Sequence, residues 1–271
     1  MPKIGVTGAS GYVGGRIASQ LEKAGYEVLE LGRTKTGFRD HVNWSLGQAI
    51  PNVPLDALVH CAWDFLEPEK SAKGSAKLFD DAKKKNIPKN IFISTLSAFE
   101  GARSLYGQEK LHVEKYVTRT GGVKIVRPGL VYGENPGGMV GALIKAIQKF
   151  PVVPLVGGRQ LFYTCHEIDL GVSIARLLEI ESNEFPMVVA AAKEMISFKR
   201  ILEGIAAKKK LSRLLIPIPA FPVMLALVTM ESIALRPKFR SDSLTSLLSL
   251  PSKVDWRGTD LLGCFFRPFE A

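Results

Sequence analysis

Tyr106 and Lys110 stand four residues apart in Leu105-Tyr106-Gly107-Gln108-Glu109-Lys110, a stretch of helical character. Residues at that spacing share one face of a helix. A free tyrosine has a pKa of about 10 and is a poor base at neutral pH. An ammonium beside it stabilises the phenolate, so the spacing predicts a Tyr106 whose pKa is lowered by Lys110. Upstream, the apolar run Asn90-Ile91-Phe92-Ile93 ends in Ser94-Thr95-Leu96-Ser97. Hydroxyls at the C-terminal end of a buried strand lie where open α/β sheets bind ligands. Ser94, Thr95 and Ser97 are each candidates to share a substrate oxygen with Tyr106. A Tyr-Lys pair alone is common on helices, and its meaning depends on what the surrounding elements hold.

The element that decides this is near the start of the chain. Ile4-Gly5-Val6 is a short apolar run, Thr7-Gly8-Ala9-Ser10-Gly11-Tyr12-Val13-Gly14 is a glycine-rich turn, and Ile17, Ala18 and Leu21 follow at helical spacing. Strand, glycine turn and helix form the context of a dinucleotide loop. A helix N-terminus offers unpaired N–H groups and a partial positive charge to a pyrophosphate. Gly8 permits a backbone conformation closed to other residues. Gly11 leaves no side chain in the way of a phosphate, and Gly14 lets the helix lie close to the sheet. With a dinucleotide in place, its positive nicotinamide would lower the Tyr106 pKa further, and catalysis becomes the better reading of Tyr106 and Lys110.

The second strand, Glu27-Val28-Leu29-Glu30-Leu31, ends at Gly32-Arg33. An acid at this end binds the ribose 2′-hydroxyl, whereas a basic residue accommodates a 2′-phosphate. A guanidinium holds a phosphate with two hydrogen bonds, so Arg33, with Lys35 close by, favours NADP over NAD. The alternative is that Arg33 is a loop cation and Glu30 serves the ribose. Residues 34–54 are polar, with a short strand expected at His41–Trp44. Asp56-Ala57-Leu58-Val59-His60-Cys61-Ala62 reads as a buried parallel strand with His60 as a satisfied core histidine. A helix is expected over Glu69–Lys85. Strands alternating with helices predict a Rossmann-type, doubly wound α/β parallel sheet.

Further helices are expected from Asn135-Pro136-Gly137-Gly138 to about Phe150, over Asp169–Ile180, and over Ser197–Lys208. Strands are expected at Val152–Leu155 and Met187–Ala190. The segments 221–235 and 241–249 should form a small C-terminal helical substrate lobe. Residues 1–165 are mainly the nucleotide-binding domain and 166–271 mainly the lobe, interleaved as one unit. Leu214 to Met230 is almost wholly apolar, but Pro217, Pro219 and Pro222 interrupt it. It is too short to cross a bilayer. A packed helix entered through a proline-rich turn is expected, with a membrane-surface helix as the alternative.

At 271 residues, with 46% apolar and 23% charged residues, the composition is that of an ordinary globular protein. The net charge is +10, from 36 basic and 26 acidic residues. The basic residues are scattered apart from Lys83–Lys85 and Lys208–Lys210, and no aromatic-basic interleaving marks a nucleic-acid platform. The excess suits an anionic nucleotide and substrate instead. Cys61, Cys165 and Cys264 are far apart, with neither a metal-ligand spacing nor a disulfide framework. A reducing cytoplasm fits, and the N-terminus lacks a signal-peptide pattern.

Taken in order, these motifs resemble the short-chain dehydrogenase/reductase superfamily, in its extended, NAD(P)-dependent epimerase/dehydratase branch. Gly8-Ala9-Ser10-Gly11-Tyr12-Val13-Gly14 resembles the branch's nucleotide loop, and Asp56–Ala62 its strand beside the riboses. Tyr106-Gly107-Gln108-Glu109-Lys110 is its Tyr-x-x-x-Lys motif. Val126-Arg127-Pro128-Gly129-Leu130-Val131-Tyr132-Gly133 resembles the segment lining the nicotinamide, and His166-Glu167-Ile168-Asp169-Leu170 a marker near the substrate lobe. The resemblance implies a cofactor site built from Gly8, Ser10, Gly11, Tyr12, Val13, Gly14, Arg33, Cys61, Ala62, Lys110, Pro128 and Leu130. It implies that Tyr106 exchanges a proton with a substrate oxygen, and that Lys110 holds the nicotinamide ribose. Counting from the strand end, Thr95 matches the branch's hydroxyl best, then Ser97 and Ser94. The implied activity is hydride transfer at a carbinol or carbonyl carbon of a nucleotide-linked sugar. Dehydratases of the branch carry an Asp-Glu pair after the Thr, where Leu96 and Ser97 stand here, so dehydration is disfavoured. Ser71 stands where the branch often has Asn. Arg159 and His166 are candidates to touch a sugar or diphosphate. A homodimer through the helices at 69–85 and 105–120 is expected by analogy. The rival readings are a non-catalytic NAD(P)-binding subunit and a membrane-surface reductase of a lipid-linked substrate.

Overall fold

The computed structural model describes residues 1–37, 39–182, 185, 187–233, 239–251 and 253–270. The first part runs β1 (Lys3–Thr7), α1 (Tyr12–Lys23), β2 (Glu27–Gly32), β3 (Asp40–Asn43), β4 (Ala57–His60), α2 (Pro68–Lys84), β5 (Lys89–Ile93), α3 (Leu105–Thr120) and β6 (Val123–Pro128). Then come β7 (Leu130–Tyr132), α4 (Gly138–Lys149), β8 (Val152–Leu155), β9 (Leu161–His166), α5 (Glu167–Glu179) and β10 (Val188–Ala190). The chain finishes with β11 (Met195–Ser197), α6 (Phe198–Lys208), β12 (Leu214–Pro217), α7 (Ala220–Ser232), α8 (Ser241–Leu248) and α9 (Arg257–Leu262).

The main sheet has seven strands in the order β10-β6-β5-β4-β1-β2-β3, and every pairing is parallel. This is the doubly wound α/β fold that the alternation of elements predicts. Parallel strands covered on both faces need apolar side chains on both faces. All of Ala57, Leu58, Val59 and His60 in β4 are accordingly buried. One face packs Ile4, Val6 and Val59 on α1 and α5 through Ile17, Leu21, Leu170 and Ile174. The other packs Leu31 and Leu58 on α2 through Leu78 and Ala82, and Phe92 on α3 through Val113 and Val117. The winding reverses between β1 and β4, and the crevice beyond their C-terminal ends is where such a sheet takes a ligand.

A second core gathers Ile147, Val153, Leu155, Phe198, Ile201, Leu202, Leu244 and Leu247. It is framed by a three-stranded sheet, β11-β9-β7, and by a parallel pair, β12-β8. The two cores interleave along the chain: α4 and β8 serve the second, while the later α5 and β10 return to the first.

Leu214 to Met230 contains the helix expected behind the proline-rich turn, and ahead of that turn an unexpected strand. Leu214–Pro217 is strand β12, paired with β8 in the register Leu214↔Val152 to Pro217↔Leu155, and the helix begins only at Ala220. Pro217 and Pro219 supply no N–H to a helical ladder, and Pro is tolerated at a strand end or a helix start. The helix expected over 221–235 is α7; positions 234 and 235 lie outside the described residues. Among the described residues no helix is long and apolar enough to cross a membrane.

The catalytic-candidate helix α3 is tied to the sheet by a buried ion pair. Arg127 of β6 donates from Nε to Glu114 Oε1 at 2.8 Å and from its second nitrogen to Oε2. Removing one partner of a buried pair leaves the other charge uncompensated. Glu114→Ala is therefore expected to lower unfolding free energy by about 3 kcal/mol, read by urea denaturation. A loss below about 0.5 kcal/mol would show that the pair does not anchor α3.

Candidate active site

At the head of α1 the loop is held by contacts that only glycine allows. Gly8 has φ +70°, and a Cβ there would lie 2.7 Å from the Ala62 nitrogen. A Cβ on Gly14 would come within 2.3 Å of the Gly8 carbonyl oxygen. Gly11 is the N-cap of α1, which carries no side-chain cap and no acid in its first turn. The N–H groups of that turn therefore open onto a cavity of about 1420 Å³. Gly8, Ser10, Gly11, Tyr12, Val13 and Gly14 all line it, as do Arg33, Cys61, Ala62, Pro128 and Leu130. The Tyr12 hydroxyl is turned away to donate to Glu167, which also pairs with Arg16 at 3.0 Å.

A buried chain of hydrogen bonds fixes the next loop. Thr7 Oγ1 accepts from the Cys61 and Ala62 nitrogens, each at 3.1 Å, and so gives its own proton to His60 Nδ1 at 2.6 Å. That leaves the proton of the neutral ring on Nε2, which donates to Ser75 Oγ at 2.8 Å. Ser75 in turn donates to the Ser71 carbonyl at 2.8 Å. Burial holds the His60 pKa well below its usual value, which keeps the ring neutral. His60 is thus a satisfied core histidine. Ser71 Oγ accepts from the Asp64 nitrogen at 2.9 Å, so it anchors the 62–67 loop.

At the end of β2 the carboxylate of Glu30 is already used. It accepts from the Thr36 nitrogen at 3.0 Å and from Arg39 at 3.1 Å. Arg33 is the residue that faces the cavity, and among the described residues no carboxylate pairs with it.

The opposite end of the cavity brings together Thr95, Tyr106 and Lys110. The Thr95 hydroxyl lies beside the Tyr106 phenol and acts to hold its pKa down. Thr95 Oγ1 accepts from the Ser97 nitrogen at 3.2 Å. The other two hydroxyls point elsewhere: Ser97 Oγ receives a bond from Ser246 at 2.8 Å, and Ser94 Oγ is buried without a partner among the described residues. Lys110 Nζ donates to the Ile93 carbonyl at 2.7 Å. It lies 4.1 Å from the ring centre of Trp63 and 4.5 Å from that of Phe92. Trp63 and Phe65 pack on Tyr106 with ring centres 5.9 and 5.1 Å away.

This packing corrects the expected electrostatics. Lys110 does not lower the Tyr106 pKa. Burial pushes the phenol up to about 12, opposed only by the nearby Thr95 hydroxyl. Burial likewise pushes Lys110 down to about 7. The lysine nitrogen is engaged by a carbonyl and two rings, so desolvation outweighs attraction between the pair. The Cys61 thiol is also pushed up to about 12 by burial.

Several contributing residues carried no motif. Trp63 and Phe65 follow the β4 end directly, where an aromatic pair beside a nucleotide strand was the available signal. Asp242 of α8 accepts from the Leu105 nitrogen at 2.6 Å and the Tyr106 nitrogen at 3.2 Å, which adds an acceptor to the Ser104 N-cap of α3. With Ser246, it clamps the lobe onto the strand end and helix that carry Thr95 and Tyr106. Of the two residues expected near a sugar or diphosphate, Arg159 lines the cavity. His166 does not: its Nδ1 accepts from the Ile168 nitrogen at 3.2 Å as the N-cap of α5, and its ring packs edge-on to Tyr132.

The family model described as NAD dependent epimerase/dehydratase family matches residues 4–183. No curated protein matches the chain at a significant level. Among solved structures, gox2253 is similar over 98% of this chain and 94% of its own, with 17% identity and a TM-score of 0.73. UDP-N-acetylglucosamine 4-epimerase from Bacillus cereus is 18% identical over 81% of this chain and 86% of its own, with a TM-score of 0.66. MoeE5, solved in complex with UDP-glucose and NAD, is 16% identical over 81% and 85%, with a TM-score of 0.68. At these identities the similar structures establish the fold, and the match of the family model over most of the chain establishes the lineage. The chain belongs to the NAD-dependent epimerase/dehydratase family.

Proposed function

We propose that this chain catalyses NAD(P)-dependent hydride transfer at a carbinol or carbonyl carbon of a nucleotide-linked sugar. The observation that carries the reading is that Thr95, Tyr106 and Lys110 line the same cavity as the glycine loop. The residues present fit a dinucleotide: an uncapped α1 start, a loop free of Cβ atoms at Gly8, Gly11 and Gly14, and an unpaired Arg33. The dinucleotide, when bound, supplies or receives the hydride at its nicotinamide. Gly8, Ser10, Gly11, Tyr12, Val13 and Gly14 hold the pyrophosphate end, and Arg33 holds a 2′-phosphate, which makes NADP the preferred form. Cys61, Ala62, Lys110, Pro128 and Leu130 line the nicotinamide half.

Thr95 and Tyr106 hold one substrate oxygen between them. A phenol pushed up to about 12 is protonated at neutral pH, so Tyr106 is set to donate its proton to a carbonyl oxygen as that oxygen gains negative charge. Leu96 and Ser97 follow Thr95 and supply no carboxyl group to remove water, so dehydration is disfavoured. A nucleotide-linked sugar is supported by the UDP-glucose bound to the similar MoeE5 and by Arg159, a cation in the cavity wall for a diphosphate. A purely binding subunit would have no need of a tyrosine and a threonine hydroxyl brought together in the cavity.

Tyr106→Phe is expected to keep NADPH affinity and lose about a hundredfold or more in kcat, measured by steady-state turnover against fluorescence titration of the cofactor. Turnover like the parent's would remove Tyr106 from the chemistry. NADPH is expected to bind more tightly than NADH, and Arg33→Ala to cut that preference by about tenfold. Equal affinities of the parent for the two would refute the NADP assignment. Asp242→Ala removes the acceptor for two N–H groups at the start of α3, so kcat should fall about tenfold at unchanged NADPH affinity. Asp242→Asn, which keeps an acceptor oxygen, should recover part of the loss; equal rates in all three forms would leave Asp242 without a positioning role.

A further inference from the structure

The lobe carries a surface that the proposed reaction does not use. The β8–β12 pair is apolar on both faces. Inward, Val153 and Leu155 are buried and Leu215 packs against them. Outward, the register partners Val152 and Leu214 are 45% and 60% exposed, and Pro154 pairs with Ile216, itself 42% exposed. A sheet face turned to water is ordinarily polar. The helix that follows repeats the pattern. Val223, Met224 and Leu227 of α7 face the core, while Phe221, Leu225 and Val228 are 78%, 58% and 49% exposed at i, i+4 and i+7. The acid of α7, Glu231, is occupied by Arg240 and the Ser241 backbone. Exposed apolar side chains in this number, on consecutive elements that pack on one core, mark a contact surface.

The surrounding charge selects the partner. Lys149 ends α4 just before Phe150 and Val152, and Lys208, Lys209 and Lys210 end α6 just before β12. All four are exposed, and among the described residues none pairs with a carboxylate. In a symmetric dimer through this face, both copies would bring their unpaired lysines into one interface, like charge against like. An anionic lipid surface instead takes the apolar side chains below its headgroups and the lysines at its phosphates.

We infer that β8, β12 and α7 form a docking face for an anionic bilayer surface, on which the enzyme lies without spanning it. This inference goes beyond the proposed reaction, and its test reads binding alone, so either can fail while the other stands.

The test is co-sedimentation of the full chain with vesicles of phosphatidylcholine containing about one-third phosphatidylglycerol, beside vesicles of phosphatidylcholine alone. Binding to the anionic vesicles is expected at low salt, weakening about tenfold at about 0.5 M salt. Phe221→Ser combined with Leu225→Ser should lose about tenfold or more in vesicle affinity with its melting temperature and NADPH binding kept. Lys208→Glu, Lys209→Glu and Lys210→Glu together should lose as much, by a route independent of the apolar positions. Absence of sedimentation with anionic vesicles at low salt would overturn the inference, as would equal binding to neutral vesicles or full binding by both variants. A concentration-dependent dimer that the Phe221/Leu225 variant dissolves, without vesicle binding by the parent, would assign the face to a second copy of the chain and overturn it too.

Discussion

Backbone lies directly on backbone where α1 leaves its loop, and the geometry of the whole cavity follows from that contact. A methyl group on Gly14 would sit 2.3 Å from the Gly8 oxygen, and one on Gly8 would meet the Ala62 nitrogen at 2.7 Å. With both absent, the start of α1, the end of β1 and the end of β4 converge at the crevice where the sheet reverses its winding. Thr7 secures the junction from beneath, since its hydroxyl accepts from two β4-end nitrogens and donates to His60. The loop carrying Trp63 and Phe65 leaves from this same point, so the glycine-loop end and the Tyr106 end of the cavity share one anchor.

At the Tyr106 end, burial is the dominant force. Tyr106 and Lys110 are both shifted toward their neutral forms, by the same desolvation acting on groups of opposite charge type. The shift suits a proton donor in a dry site better than a preformed phenolate. Lys110 remains satisfied through the Ile93 carbonyl and two aromatic faces, contacts that a desolvated ammonium retains. The lobe acts on this end mechanically: Asp242 and Ser246 reach across from α8 to the start of α3 and to Ser97. Order in the lobe is in this way coupled to the position of the Tyr106 hydroxyl.

The sheet and its helices were legible because their signals are local: a glycine loop, apolar runs for buried strands, and helical spacing after each. The same holds for Tyr106, Lys110 and the hydroxyls after β5. What escaped is what depends on tertiary contact. Strands as short as β7 and β11 have too few residues to show a period, and β12 was hidden inside an apolar run that also contains a helix. Asp242 looked like any helix-start acid, although its carboxylate serves a different helix 136 residues away. A lowered Tyr106 pKa is read from nearby positive charge, which leaves out the rings of Trp63 and Phe65 packed on the phenol.

The central claim is that a single dinucleotide reaches from the glycine loop to the Tyr106 hydroxyl. Hydrogen–deuterium exchange of the full chain with and without NADPH tests it directly. Slower exchange is predicted for residues 8–14 together with the strand-end segments 61–64 and 93–97. Slowing at the glycine loop alone, or at neither end, would contradict the account.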